Sequence, residues 1–183
     1  MIYKRILILE KLNFRIMKQL LLIIICPVLL FGQTQIGQDI DGETEGDRSG
    51  NSISLSSDGL TVAIGAYVND GNGDASGHVR VYKNESGVWT QIGNDIDGEA
   101  AEDVSGINVS LSSNGNIVAI GAPSNDDNGY SSGHVRVYAN DNGTWMQIGS
   151  DIDGDVASQE CGRSVSLSSD GSIVAIGSVS FFW

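Results

Sequence analysis

Basic residues are scarce in this chain and unevenly placed. The 183 residues hold ten Lys and Arg against 23 Asp and Glu, and five of the ten (Lys4, Arg5, Lys11, Arg15, Lys18) fall in the first 32. From residue 33 onward five basic residues face 22 acidic ones, a net charge of about −17. A surface of that sign repels phosphate backbones, which excludes nucleic acid as a partner. Cysteine is almost missing too. Cys26 lies in the apolar N-terminal stretch and Cys161 stands alone in the remainder, so no internal disulfide can form. Long apolar runs are also absent: Leu20 to Phe31 is about 12 residues, where a bilayer span needs about 20. Preceded by Lys18 and followed by small and polar residues, that run has the form of a secretory signal peptide. Residues 1–32 are assigned to it, with Met17 as an alternative start and cleavage between Phe31 and Gln35. The mature chain is then expected outside the cell or on its surface, with no stable membrane span once the signal is cleaved.

What the chain has in abundance is repetition. "SLSSDGLTVAIGA" from Ser54 returns as "SLSSNGNIVAIGA" from Ser110 and as "SLSSDGSIVAIGS" from Ser166. Thr34–Trp89 laid over Thr90–Trp145 matches at 36 of 56 positions without a gap, which marks a true internal repeat. The units are residues 34–89, 90–145 and a partial third, 146–183, which leaves the pattern at "SVSFFW". Cys161 occupies the slot of Ser49 and Ser105, and no activating group repeats beside it, so a small-residue position explains it better than a reactive thiol.

Each unit carries four short runs of β character. In the second they are "NVSLSS", "IVAIGA", "HVRVY" and "TWMQIG". Val109 and Leu111 share one face, as do Val118 and Ile120, and Val135 and Val137. The other face of the second run holds Ala119 and Gly121, small and uncharged, which predicts a strand covered on both faces. "SSDG" or "SNGN" joins the first two runs and "NESG" or "NDNG" the last two, both hairpin signals. No helical period appears beyond the signal. Four antiparallel strands per unit, each unit covering its neighbour's face, predict an all-β fold of β-propeller blades, about two and a half of them. Up-and-down connectivity sends the short turns to one rim and the long loops to the other. About 18 of the 22 mature acidic residues lie in the long loops, which predicts one strongly negative rim.

"SVSLSSDGSIVAIG", "VAIGAP" and "SGHVRVY" together resemble the FG-GAP-type repeats of bacterial secreted and surface proteins, distant relatives of integrin α-subunit blades. The resemblance spans residues 34–178, with Ser105-Gly106 in the place of Phe-Gly and a literal Gly-Ala-Pro at Gly121-Ala122-Pro123. It implies a seven-bladed ring, of which this chain would be a fragment, and a role in adhesion or recognition. It also implies a calcium loop of Asp-x-Asp-x-Asp-Gly between the first two strands. This sequence has only Asp58, Asn114 and Asp170 there, too few oxygens for the six to eight that calcium takes.

Other oxygen-rich stretches exist. Asp39 and Asp41, and Asp95 and Asp97, in "DIDGE", and Asp70, Asn72, Asp126 and Asn128 in the long loops, offer the alternate-oxygen spacing of a calcium site. The same residue types serve equally as turn formers. Calcium is thus a possible ligand and no cofactor is required. His78 and His134, with neither a cysteine nor a third ligand in sequence, are assigned to a structural hydrogen bond in each blade. Trp89 and Trp145, with Tyr82 and Tyr138, are expected to pack between blades. Almost every polar residue with a promising neighbour has a copy one unit away, which argues against a catalytic constellation, since those usually break a repeat's symmetry.

The expectation is a secreted or cell-surface propeller that binds an extracellular protein or glycan surface through its acidic rim, not an enzyme. Two alternatives remain: a fragment of a propeller enzyme acting on extracellular polysaccharide, with its catalytic residues in blades not present here, and a truncated gene remnant. If the chain is complete, its open end blades predict self-association.

Overall fold

Alternation of β-branched and small residues makes the strands, and their repetition makes the sheets. The computed structural model describes residues 35–179. The signal segment 1–32, with Cys26, and the last four residues of "SVSFFW" lie outside them. The chain divides into a unit Met1–Ile36 and a unit Gly37–Trp183, and every strand belongs to the second.

The first sheet runs in the order β1 (Ser52–Leu55), β2 (Thr61–Ala66), β3 (His78–Glu85) and β4 (Val88–Gln91), all antiparallel. The second repeats it with β6 (Asn108–Leu111), β7 (Ile117–Ala122), β8 (His134–Asp141) and β9 (Thr144–Gln147). The third holds β11 (Ser164–Leu167) and β12 (Val174–Gly177). This is the all-β, blade-like architecture read from the sequence, consistent with part of a propeller.

One element differs from expectation. The long connection between units, expected to be a loop, forms a two-residue strand: β5 (Ile96–Asp97) at the centre of "DIDGE" pairs with β3, and β10 (Ile152–Asp153) at the centre of "DIDGD" pairs with β8. The reason is room along one edge. The β4 hairpin covers β3 only from Tyr82 to Glu85, leaving His78 and Val79 to pair with Asp97 and Ile96. The outer edge of each third strand is thus completed by the next repeat. The first copy, residues 39–43, has no such strand beside it and stays irregular.

Between sheets the packing is close enough to require glycine. A Cβ on Gly65 would lie 2.0 Å from the Gly106 carbonyl oxygen, and one on Gly121 would lie 2.1 Å from that of Gly162. Serines stitch the same seam. The Leu111 N–H donates to Ser54 Oγ and the Leu167 N–H to Ser110 Oγ, each at 2.9 Å, and Ser52 Oγ donates to the Gly106 carbonyl at 2.6 Å. The core that results contains Val79, Val81, Val109, Leu111, Val118, Ile120 and Ala63, with Trp145 packed against it. Trp145 also donates its Nε1–H to the Ile92 carbonyl at 2.9 Å, tying the second sheet to the first. Cys161 is buried with its thiol raised above its ordinary pKa by that burial, in keeping with a small-residue slot.

The three hairpins share one turn. Ser56 Oγ accepts from the Thr61 N–H and donates to Asp58 Oδ1, and Ser112 with Asn114 and Ser168 with Asp170 do the same. Asp and Asn are interchangeable here because only an acceptor oxygen is used.

Two expectations follow. Leu111 is 8% exposed at the seam and its equivalent Leu55, on the open first sheet, is 58% exposed. Leu111→Ala should therefore cost about 2–4 kcal/mol in denaturant unfolding and Leu55→Ala under about 1 kcal/mol. The Asp170 carboxyl is held down to about 2 by hydrogen bonds from Ser168 and Ser172. A depressed folded pKa gives stability that is present above the ordinary value of 3.8 and lost as pH falls through about 2. Asp170→Asn should keep the turn, as Asn114 does, and flatten the acid limb of the unfolding profile between those values.

Candidate functional site

His78 and Arg80 alternate along β3, so their side chains share a face, and His134 and Arg136 repeat this on β8. The long-loop segments bring carboxylates to that face from two directions. In the first sheet Glu43 arrives from the "DIDGE" before it and Asp95 from the "DIDGE" after it. In the second the pair is Glu99 and Asp151. One "DIDGE" therefore serves two neighbours: Asp95 points back to β3 and Glu99 forward to β8.

Two groups of potential metal ligands result, Glu43–His78–Asp95 and Glu99–Asp127–His134–Asp151, with the ligand atoms of each within 4.8 Å of one another. These clustered residues form a potential binding site for calcium or another divalent ion. In the first group His78 Nδ1 lies 3.7 Å from Asp95 Oδ2 and 3.9 Å from Glu43 Oε2. In the second His134 Nδ1 lies 3.8 Å from both Glu99 Oε2 and Asp151 Oδ2. None of these is a hydrogen bond. His78 is 3% and His134 1% exposed, and Nδ1 of both, together with Nε2 of His134, has no hydrogen-bond partner. The structural hydrogen bond expected of these histidines is therefore missing at Nδ1. Sequence reasoning missed the further ligands because each comes from a segment distant in the chain. The clue was available: Glu43 and Glu99 recur with the same period as His78 and His134.

The arginines distinguish the two groups. Arg80 forks onto Asp95, with Nε and Nη2 each 2.8 Å from a carboxylate oxygen, and also contacts Glu43. This pairing holds the Asp95 carboxyl below its usual range and raises Arg80. Burial lowers His78 and raises Asp97. Arg136 is turned differently. Its Nη2 donates to the Asp97 carbonyl at 2.8 Å and its Nη1 lies 3.2 Å from Glu99, while Asp151 is bonded by Gln147 at 2.5 Å.

Of the eight oxygen-bearing residues singled out in sequence, Asp95 alone joins a group. Asp39 and Asp41 stand exposed on the irregular first "DIDGE". Asp97 pairs through its backbone with His78. Asp70 and Asp126 accept from the N–H groups of Ala75 and Ser131. Asn72 and Asn128 donate to the carbonyls of Gly98 and Gly154. The last four are turn and loop formers.

Residues 39–82 match the FG-GAP repeat family. No curated protein matches the chain. Solved structures that resemble it include the periplasmic gluconolactonase PpgL of Pseudomonas aeruginosa, at 20% identity and a TM-score of 0.47 over 76% of this chain. The chain spans 38% of that protein's length. The class defined so far is an all-β repeat protein of propeller type. The expectations of an integrin-like protein, of cell adhesion and of a chain without enzymatic character are corrected by these findings. The described residues gather His, Asp and Glu able to hold a metal ion, and nothing in the matches points to adhesion. No described helix is long and apolar enough to cross a membrane.

A double-mutant cycle separates the two groups. Arg80→Met with Asp95→Asn should show a coupling of about 1–2 kcal/mol in denaturant unfolding, as expected of a forked charge-assisted pair. Arg136→Met with Asp151→Asn should show under about 0.5 kcal/mol, because Arg136 bonds elsewhere.

Proposed function

We propose that this chain is a section of a secreted β-propeller enzyme that acts on a neutral extracellular polysaccharide, or on an ester or lactone derived from one, at its long-loop rim. The observation that carries the reading is the repeated cluster of a buried imidazole beneath half-exposed carboxylates on that rim. In this reading residues 1–32 are the signal that exports the chain, and 34–89, 90–145 and 146–183 are successive units of one propeller. The binding role first read for the acidic rim becomes the step that holds the substrate.

Chemistry supports a hydrolytic step over other reactions. Carboxylates beside a nitrogen with no proton donor or acceptor can take a proton from water, or can hold a divalent ion that polarises a carbonyl or acetal oxygen. The field of the rim limits the substrate. Acidic polysaccharides are repelled, whereas neutral polyhydroxylated ones can donate hydroxyl hydrogens to the half-exposed carboxylates.

The test is the exported chain incubated with neutral polysaccharides, polyuronates and a sugar lactone, with products followed by reducing ends and by acid release. Turnover is expected on neutral substrates, at least about tenfold above that on polyuronates, and reduced about a hundredfold or more in His134→Asn. Equal turnover on polyuronates, or activity indifferent to His134, would overturn the reading.

A further inference from the structure

The two clusters are copies of one design, but they differ at two places that bear on what they hold. At the first, Asp127 stands where the earlier repeat has Gly71. Its carboxylate reaches Glu99, His134 and Asp151, so the second group has four ligand residues and the first has three. At the other, the guanidinium has moved. Arg80 is forked onto Asp95 and touches Glu43, so the two carboxylates of the first group already share a cation. Arg136 instead spends one arm on the Asp97 carbonyl and sets the other 3.2 Å from Glu99, which leaves Asp151 without a guanidinium among the described residues and with an oxygen directed at His134.

From these differences we propose that Glu99, Asp127, His134 and Asp151 form a site for a divalent first-row metal ion, zinc in particular, and that the Glu43–His78–Asp95 group is its arginine-filled counterpart and takes no metal.

Charge supports the assignment. Three carboxylates and Arg136 leave the second group at minus two, which one divalent ion neutralises. The first group, with two carboxylates and Arg80, stands at minus one, and a divalent ion would leave it positive.

The buried imidazole supplies the second, independent observation. Nδ1 of His134 lacks a hydrogen-bond partner at 1% exposure, a costly state for a polar group unless a ligand satisfies it; His78 Nδ1 is unpartnered too, but there Arg80 already holds both carboxylates. Its Nδ1 faces Glu99 and Asp151 at 3.8 Å. Zinc bonds of about 2.0–2.2 Å in tetrahedral geometry set ligand atoms roughly 3.4 Å apart. For Glu99 and Asp151 closing the difference takes about 0.4 Å, while Asp127, within 4.8 Å of the other ligand atoms and exposed on its loop, has the larger distance to close and the freedom to do so. The donor set decides between ions. Calcium takes six to eight oxygens, whereas an imidazole with three carboxylates suits zinc and its neighbours.

This inference rests on reading the rim clusters as working groups, but its readout is metal alone and needs no substrate. The exported chain, stripped with chelator and dialysed, is titrated with zinc and with calcium by calorimetry, and bound metal is counted after desalting. One zinc per chain is expected, bound roughly a hundredfold or more tighter than calcium. Asp127→Gly restores the residue of the preceding repeat, so the loop should survive, and it should weaken zinc roughly tenfold or more. His134→Asn should do the same. Asp126→Asn removes a neighbouring charge while keeping the oxygen that accepts from Ser131, and should leave zinc affinity within about twofold. Thermal unfolding of each variant without metal shows whether it is folded. Two zinc ions per chain, calcium bound as tightly as zinc, or zinc binding unaffected in folded Asp127→Gly would overturn the assignment. Zinc binding without turnover on any polysaccharide or lactone would leave the site standing and remove the enzymatic reading.

Discussion

A sheet with valine and isoleucine on one face and alanine and glycine on the other has no interior of its own. It must lie against a second sheet, and here the second sheet is the next copy of itself. Ala63, Ala119, Val79 and Val118 are fully buried because adjacent copies meet at backbone distance. Gly65 facing the Gly106 carbonyl, and Gly121 facing that of Gly162, allow the approach. The serines of "SLSS" then use that proximity, presenting hydroxyls to the N–H groups of the following copy. Much of what repeats in the sequence repeats because this seam repeats.

The "DIDGE" segment extends the same dependence to the rim. Its central Ile and Asp complete the edge of one sheet, its first Asp reaches the histidine and arginine of that sheet, and its last Glu reaches those of the next. A polar cluster on this rim is a product of two junction segments and one strand. The loop asparagines reinforce the arrangement: Asn72 and Asn128 bind the carbonyls just beyond the short strand, and Asn69 and Asn125 bind the buried carboxylates of Asp47 and Asp103. What looks like an acidic loop surface is in good part an ordered hydrogen-bond scaffold.

The fold was legible because its determinants are local and periodic. Val118–Ile120 alternation, Gly115 in the hairpin and the 56-residue spacing are all visible along the chain. The short strand β5 was less so, since two residues pair there only because β4 leaves part of β3 uncovered. The clusters were least legible. Glu43, His78 and Asp95 are separated by tens of residues, and the spacing within "DIDGE" suggested ligands cooperating with each other, whereas Asp95 and Glu99 face opposite neighbours. Symmetry misled in a second way. Repetition argues against a catalytic constellation, but the copies diverge at Gly71 and Asp127 and in the partners of Arg80 and Arg136, and those two differences set the clusters apart.

The sharing of "DIDGE" has an arithmetic consequence. Each complete cluster straddles a boundary, so the natural cutting point of the repeat is not the point at which its chemistry divides. An open row of such copies always has one boundary fewer than it has members, and closing the row supplies the missing one. Duplication of one whole period adds a new cluster without any change elsewhere, and deletion of a period joins the flanking halves into another of the same composition. Such a protein can lengthen or shorten in evolution while its rim stays chemically intact, and individual copies are then at liberty to acquire or lose a single acid such as Asp127.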